Sequence, residues 1–253
     1  MTNGAQLQPN MELAEEITAI GSENGEKEID AEIIKEMIKV GVVYGHKKTK
    51  TNPKFKKYIF TTRSGMEIID LIKTLPMIDV AAEFLKNQIK LGKMVLLVGL
   101  QPASQSALEI MAEKFNLPRV KNRWIGGLLT NFKEISGRIE HFKKIQAGIE
   151  KGEFDKYTKK ERVMINKDIF RMKRMFGGLE NLTRPAETLF IIDTSLKGHM
   201  TAVREARRMN IPIVAIIDSD DNPDFINYPI PANDHAKASI DWVINRIIES
   251  LKV

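Results

Sequence analysis

Ile213-Val214-Ala215-Ile216-Ile217-Asp218-Ser219-Asp220-Asp221-Asn222-Pro223-Asp224 reads as a buried strand that stops abruptly. Its five apolar residues are too few for a helix, and no polar residue alternates with them, so both faces of the strand are to be covered. The Asp/Asn/Pro cluster then supplies the turn. Two runs of the same kind lie at residues 94–98 and 189–192, and a further strand is expected within 119–124. Helical patterns at 77–91, 104–115, 199–209 and 235–251 alternate with them. Strand–helix alternation of this kind predicts an α/β fold, a doubly wound parallel sheet flanked by helices. The strand C-termini are the working edge of such a sheet, which places Gly99, Asp193 and Asp218 there.

Residues 132–176 break this rhythm. Phe132, Ile135, Ile139, Phe142 and Ile149 recur at three- and four-residue spacing, as do Ile165, Ile169, Met172 and Phe176. Two helices in a hairpin fit best, with Lys151-Gly152-Glu153-Phe154-Asp155 as the turn and a capping box from Thr158 to Glu161. The expected organisation is therefore an α/β domain over 29–131 and 177–253, interrupted by an inserted hairpin at 132–176. Residues 1–28 are expected to be an acidic, mostly disordered extension, with a short helix within 11–20.

Charge is uneven along the chain. The net charge is +6, but residues 1–32 hold eight acids against one base, so the remainder carries +13. A body this basic attracts polyanions. Between Tyr44 and Arg63 there are seven basic residues and no acid: Lys47, Lys48, Lys50, Lys54, Lys56, Lys57 and Arg63. Tyr44, Phe55, Tyr58 and Phe60 stand among them, so the segment offers cations for phosphate and aromatic faces for bases. It reads equally as a solvated basic loop. His46 is a further candidate, able to hydrogen-bond a phosphate or stack on a base. A first helix, with Ile33, Met37 and Val40 on one face, ends at Gly41 before this segment. Arg63-Ser64-Gly65 reads as a hairpin turn within it.

Several function classes find no support. There are no cysteines, hence no disulfide, Cys-ligated zinc, iron–sulfur cluster or thiol catalysis. Residues 1–32 lack the pattern of a secretory signal, and no apolar stretch approaches the roughly 20 residues that span a bilayer, so a cytoplasmic protein without membrane contact is expected. No G-x-G-x-x-G, P-loop or nucleophile elbow occurs, and Pro102 removes a donor from the first loop after a strand. The four histidines show no metal-ligand spacing and read as surface residues or caps, apart from His46. The 218–224 loop begins like a calcium loop but has Pro223 at its sixth position and Pro229 at its twelfth. It reads as a turn. No catalytic residue, metal or cofactor is assigned.

Lys121-Asn122-Arg123-Trp124-Ile125-Gly126-Gly127-Leu128-Leu129-Thr130-Asn131 sets an arginine and a tryptophan before two glycines and a helix. Arg123 and Trp124 are suited to gripping and stacking on RNA, with Thr130 or Asn131 as helix cap; a glycine hinge with Trp124 in the core fits as well. Together with Gly41-Val42-Val43-Tyr44-Gly45-His46, Asn52-Pro53-Lys54, Tyr58-Ile59-Phe60, Phe154-Asp155-Lys156, Ile211-Pro212, Ala215-Ile216-Ile217-Asp218, Asn222-Pro223-Asp224 and Ile230-Pro231-Ala232-Asn233-Asp234, this block closely resembles the bacterial-type small-subunit ribosomal protein S2 family over about residues 34–247.

The resemblance implies a Rossmann-like or flavodoxin-like sheet interrupted by an antiparallel coiled-coil hairpin, in a structural protein and not an enzyme. It implies binding to small-subunit rRNA at the junction of head and body of the ribosomal subunit, neighbouring ribosomal proteins as partners, and anchoring of ribosomal protein S1. His46, Lys47, Lys48, Lys50, Lys54, Lys56, Lys57, Arg63, Arg123 and Trp124 fall in the matching motifs and are the candidate RNA-binding residues. Three positions depart from the family pattern: Gln101 beside Pro102 replaces a basic residue, Ala232 replaces a glycine, and the acidic N-terminus is longer. From the residues alone a phosphate-handling α/β enzyme using the Asp218 loop stays open as the competing reading.

Overall fold

The computed structural model describes Leu13, Glu16, Ile17, residues 31–154 and residues 156–252. The expectation for residues 1–28 falls outside this set except at Leu13, Glu16 and Ile17, which are helical. Leu13 and Ile17 are buried in the main apolar cluster.

A first helix, α1 (Ala31–Val40), leads into strand β1 (Tyr44–Lys47), two short 3-10 helices (Lys48–Lys50 and Pro53–Tyr58), and strands β2 (Ile59–Arg63) and β3 (Met66–Ile69). These strands form a small antiparallel sheet in the order β1-β3-β2. Ser64 and Gly65 both have positive φ, as a two-residue hairpin turn requires, and the expected turn is found there. α1 buries Ile34, Met37 and Ile38, so its inner face is rotated by one residue from the Ile33/Met37/Val40 stripe read from the sequence.

The second unit is built from α2 (Leu71–Lys90), β4 (Val95–Val98), α3 (Pro102–Phe115), β5 (Arg119–Val120), α4 (Phe132–Glu150), α5 (Lys159–Phe176), β6 (Thr188–Ile192), α6 (Lys197–Arg208), β7 (Ile213–Ile217), β8 (Tyr228–Pro231) and α7 (Lys237–Leu251). Its five strands are parallel and lie in the order β5-β4-β6-β7-β8. Counted along the chain, that order is second, first, third, fourth, fifth, the flavodoxin-like arrangement, with its switch point between β4 and β6.

Every residue of β4, β6 and β7 is buried, and alternate side chains enter two separate apolar clusters. Val95, Leu97, Phe190, Ile192, Val214 and Ile216 face α1, α2, α3 and α7; Leu96, Val98, Leu189, Ile191, Ala215 and Ile217 face α6 and the first turns of α4. The apolar runs are continuous because helices cover both sides.

Two differences from the sequence reading come from proline. α2 starts at Leu71, six residues before the predicted start, and carries Pro76 inside it; Asp70 caps the helix by accepting from the Ile72 N–H at 3.2 Å. β8 was not expected at all, since Pro229 and Pro231 stand in a four-residue strand. Val214 pairs with Tyr228 and Ile216 with Ile230, and the Ala232 N–H donates to Ile217, so even-numbered residues turn their backbone toward β7. The prolines face outward from an edge strand, where no N–H is needed.

α4 and α5 are joined through residues 151–158 and pack on one another, Phe142 against Phe176. Thr158 and Glu161 form the reciprocal capping box. Among the described residues no helix is long and apolar enough to cross a membrane.

Candidate nucleic-acid interface

The segment between β1 and β2 sorts its side chains by helix geometry. Asn52 caps the second 3-10 helix by accepting from the Lys54 N–H at 3.0 Å, and Pro53 fixes its first turn. With three residues per turn, positions i and i+3 eclipse. Phe55 and Tyr58 therefore point the same way, into the core, with their rings edge-on at 5.3 Å. Lys54, Lys56 and Lys57 face out, and Lys47, Lys48 and Lys50 are also exposed. The aromatic residues, expected to offer faces to bases, instead anchor the loop: Phe55 and Tyr58 are buried, while Tyr44 and Phe60 are partly buried against the main cluster. The result is a row of cations on a fixed support.

Some of these cations have protein partners. Lys54 pairs with Asp224, Arg63 with Glu16, and Lys57 lies 4.9 Å from the centre of the Tyr58 ring. Among the described residues, no carboxylate lies within ion-pair distance of Lys47, Lys48, Lys50 or Lys56.

Arg123 and Trp124 do not join this row. They follow β5 at one edge of the parallel sheet, whereas the lysine segment is tied to the end of β7, where the Asn52 N–H donates to the Ser219 carbonyl at 2.8 Å. Arg123 is exposed. Trp124 is only 5% exposed, so it cannot stack on RNA as expected. Its indole N–H donates to Glu205 of α6 at 3.0 Å, and the same carboxylate accepts from the backbone of Gly127 (2.9 Å), Leu129 (3.1 Å) and Thr130 (3.4 Å) and from the Thr130 hydroxyl (3.3 Å). Neither Thr130 nor Asn131 caps α4 with its side chain. Glu205 organises the whole turn. The sequence reading missed it because its partners lie 75 to 81 residues away, and no local pattern marks it.

Beneath the lysine segment, the C-terminal edge of the sheet gathers Asp193, Asp218, Asp220, Asp221 and Asp234 with His46, His199 and His235. His199 is fully buried, not a surface residue or a cap: its Nε2 accepts from the Leu100 N–H at 2.9 Å, which leaves the ring proton on Nδ1, 3.7 Å from Asp193. This histidine occupies a backbone donor of the first loop, and Gln101 donates to Asp193. The Thr194 hydroxyl donates to Asp221 at 2.6 Å. Burial pushes Asp221 up to about 7, with the Asp193 and Asp220 charges adding to it; burial likewise holds Asp234 well above the usual carboxylate range, followed by the charges of Asp221 and Asp218. His46 is raised above its ordinary value, chiefly by Asp218 and against the cost of burial. His46 and His235, far apart in sequence, stand edge to face with ring centres 4.8 Å apart.

The model of the family described as "Ribosomal protein S2" matches residues 37–252. Curated relatives agree. The chain is 40% identical over 217 residues to a small ribosomal subunit protein uS2 of Corynebacterium diphtheriae, covering 85% of this chain and 80% of the relative. It is 40% identical over 224 residues to a uS2 of Corynebacterium glutamicum, covering 87% and 84%, and 36% identical over 218 residues to a uS2 of Dehalococcoides mccartyi, covering 86% and 88%.

Proposed function

The chain belongs to the ribosomal protein S2 family, a structural and non-catalytic component of the small ribosomal subunit, and from that premise we propose that it binds small-subunit rRNA through the segment from His46 to Arg63. The observation that carries this reading is the sorting of the 3-10 helix: aromatic side chains locked inward, Lys54, Lys56 and Lys57 directed outward. A ridge held this way gives up little conformational entropy when it meets phosphate. Lys47, Lys48 and Lys50 extend it, His46 stands at its base, and Arg63 closes the β2–β3 turn. Arg123 makes a second, separate phosphate contact at the other sheet edge.

In this reading the sheet is a scaffold at the junction of head and body of the subunit, with residues 29–131 and 177–253 as its body and 132–176 as a projecting coiled-coil arm. The arm carries 13 basic and 7 acidic residues and suits rRNA or a neighbouring ribosomal protein. Ribosomal protein S1 is the partner for which the body helps to form an anchor, and the ribosomes concerned are cytoplasmic.

Replacing Lys54, Lys56 and Lys57 together by alanine is expected to weaken association with small subunits and to lower the slope of log affinity against log salt by about 2, near 0.7–0.9 per lost phosphate contact. Sedimentation of the variant with small subunits at several salt concentrations tests it. An unchanged slope would remove the ridge from the rRNA interface.

A further inference from the structure

Beside the lysine ridge lies a cleft to which rRNA binding through the ridge gives no task. Pro223–Phe225 form a short 3-10 helix capped by Asn222, whose side chain accepts from the Asp224 N–H at 3.1 Å. This turn packs against the 3-10 helix of the ridge, and Lys54 pairs with Asp224 across the join. Phe225 in turn reaches the C-terminal end of α6, where the Arg207 guanidinium lies over its ring, 4.5 Å from the ring centre. A cavity of about 420 Å³ opens here, with Arg207, Asn210, Asp224, Phe225 and Asn227 in its lining. Its volume is that of a small-molecule site.

Charge decides what such a cleft can hold. α6 ends at Arg208, Asn210 then turns the chain in the left-handed conformation (φ 55°), and a helix C-terminus carries partial negative charge. The Asp224 carboxylate adds to it. Together they offset the Arg207 cation, so the cleft has little pull on phosphate. Its guanidinium instead offers a plane: Arg207 is exposed, is backed by the Phe225 ring, and among the described residues has no carboxylate within ion-pair distance. Guanidinium planes stack on unpaired bases. Lys54 takes Oδ2 of Asp224, which steadies the carboxylate and leaves Oδ1 as an acceptor. Asn227 is fixed as well, its Oδ1 accepting from the Ile213 N–H at 2.9 Å. A carboxylate suits a base with an exocyclic amine, as cytosine has and uracil lacks.

We propose that this cleft receives one unpaired nucleobase bearing an exocyclic amine, stacked on the Arg207 guanidinium with its amine donating to Asp224, while the adjoining lysines hold phosphates of the same strand. The inference rests on the rRNA reading above. It adds base selectivity to a surface that otherwise responds to charge alone, and it draws on residues 207–227, far in sequence from the ridge.

The test measures the affinity of the full-length chain, at neutral pH and several salt concentrations, for two single-stranded RNA decamers of equal charge, one all cytosine and one all uracil. The wild type is expected to bind the cytosine decamer about tenfold more tightly. Arg207→Lys keeps the charge but loses the plane, and should weaken binding of the cytosine decamer roughly tenfold with the salt slope unchanged. Asp224→Asn adds a positive charge that acts on both decamers alike, and should bring the ratio of the two affinities close to one. Circular dichroism establishes that each variant is folded. Lys56→Ala combined with Lys57→Ala, which leaves Lys54 on Asp224, should lower the salt slope for both decamers and keep the ratio. The ridge thus fails on the slope and the cleft on the ratio. Equal affinity of the wild type for the two decamers, or unaltered binding of the cytosine decamer by folded Arg207→Lys, would overturn the proposal.

Discussion

Glu205 shows how much a single side chain can hold. Five donors from Trp124, Gly127, Leu129 and Thr130, the last through both its N–H and its hydroxyl, converge on one carboxylate. Glu205→Ala is expected to destabilise the protein by about 3 kcal/mol, because several donors lose a charged acceptor at once. Glu205→Gln, which keeps one acceptor oxygen, should cost less. Urea unfolding followed by tryptophan fluorescence measures both. The residue scale is also where sequence reading was least informative. A lysine's exposure follows from its charge, and all the lysines expected at the ridge are indeed on the surface. The direction of a ring does not follow from its type. Phe55, Tyr58 and Trp124 look alike in sequence whether they cover a core or a base, and only the tertiary contacts decide it.

At the scale of elements, the strands with unbroken apolar runs were legible because burial on both faces leaves no polar position to disguise them. β7 was read to the residue, and β4 and β6 to within one. Two of the misread elements contain proline: α2, whose first turn precedes Pro76, and β8, whose two prolines lie on the outer side; β1 contains none and lies in the stretch read as a basic loop. Proline signals a break locally, and only the tertiary position shows that the missing N–H was not required. α5 is a different case. Phe176 is its one buried residue, and Phe170 is 65% exposed, so this helix depends on local signals more than on a core. Thr158→Ala removes the capping box and should cost about 1 kcal/mol. Hydrogen exchange should then show roughly fivefold less protection along α5, with β4, β6 and β7 unchanged; equal loss in the strands would mean that the helix is not an independent unit.

Across the whole molecule, the contact between the two sheets sets where the cationic ridge stands. Gly45 makes that contact possible, since a Cβ there would lie 2.9 Å from Ser219 Oγ and 3.1 Å from Asp218 Oδ1. Gly45→Ala should therefore loosen the small sheet from the large one while leaving the latter folded. Limited trypsin digestion is expected to cut sooner within residues 47–57, with far-UV circular dichroism little altered; unchanged cleavage would show that Ser219 can yield. The parallel core and its flavodoxin-like order could be foreseen from alternating apolar runs, whereas the convergence of His46, Asp218 and His235 could not, because nothing local links position 46 to positions 218 and 235. The outward prolines of β8 bear on the life of the protein before it reaches a ribosome. An open parallel sheet ends in a strand that another chain can extend. Pro229 and Pro231 leave the rim without two of the donors such an extension would use, and the Pro231 carbonyl is already taken by the Thr74 hydroxyl at 2.8 Å. That rim is therefore a poor template for a further strand from a second copy.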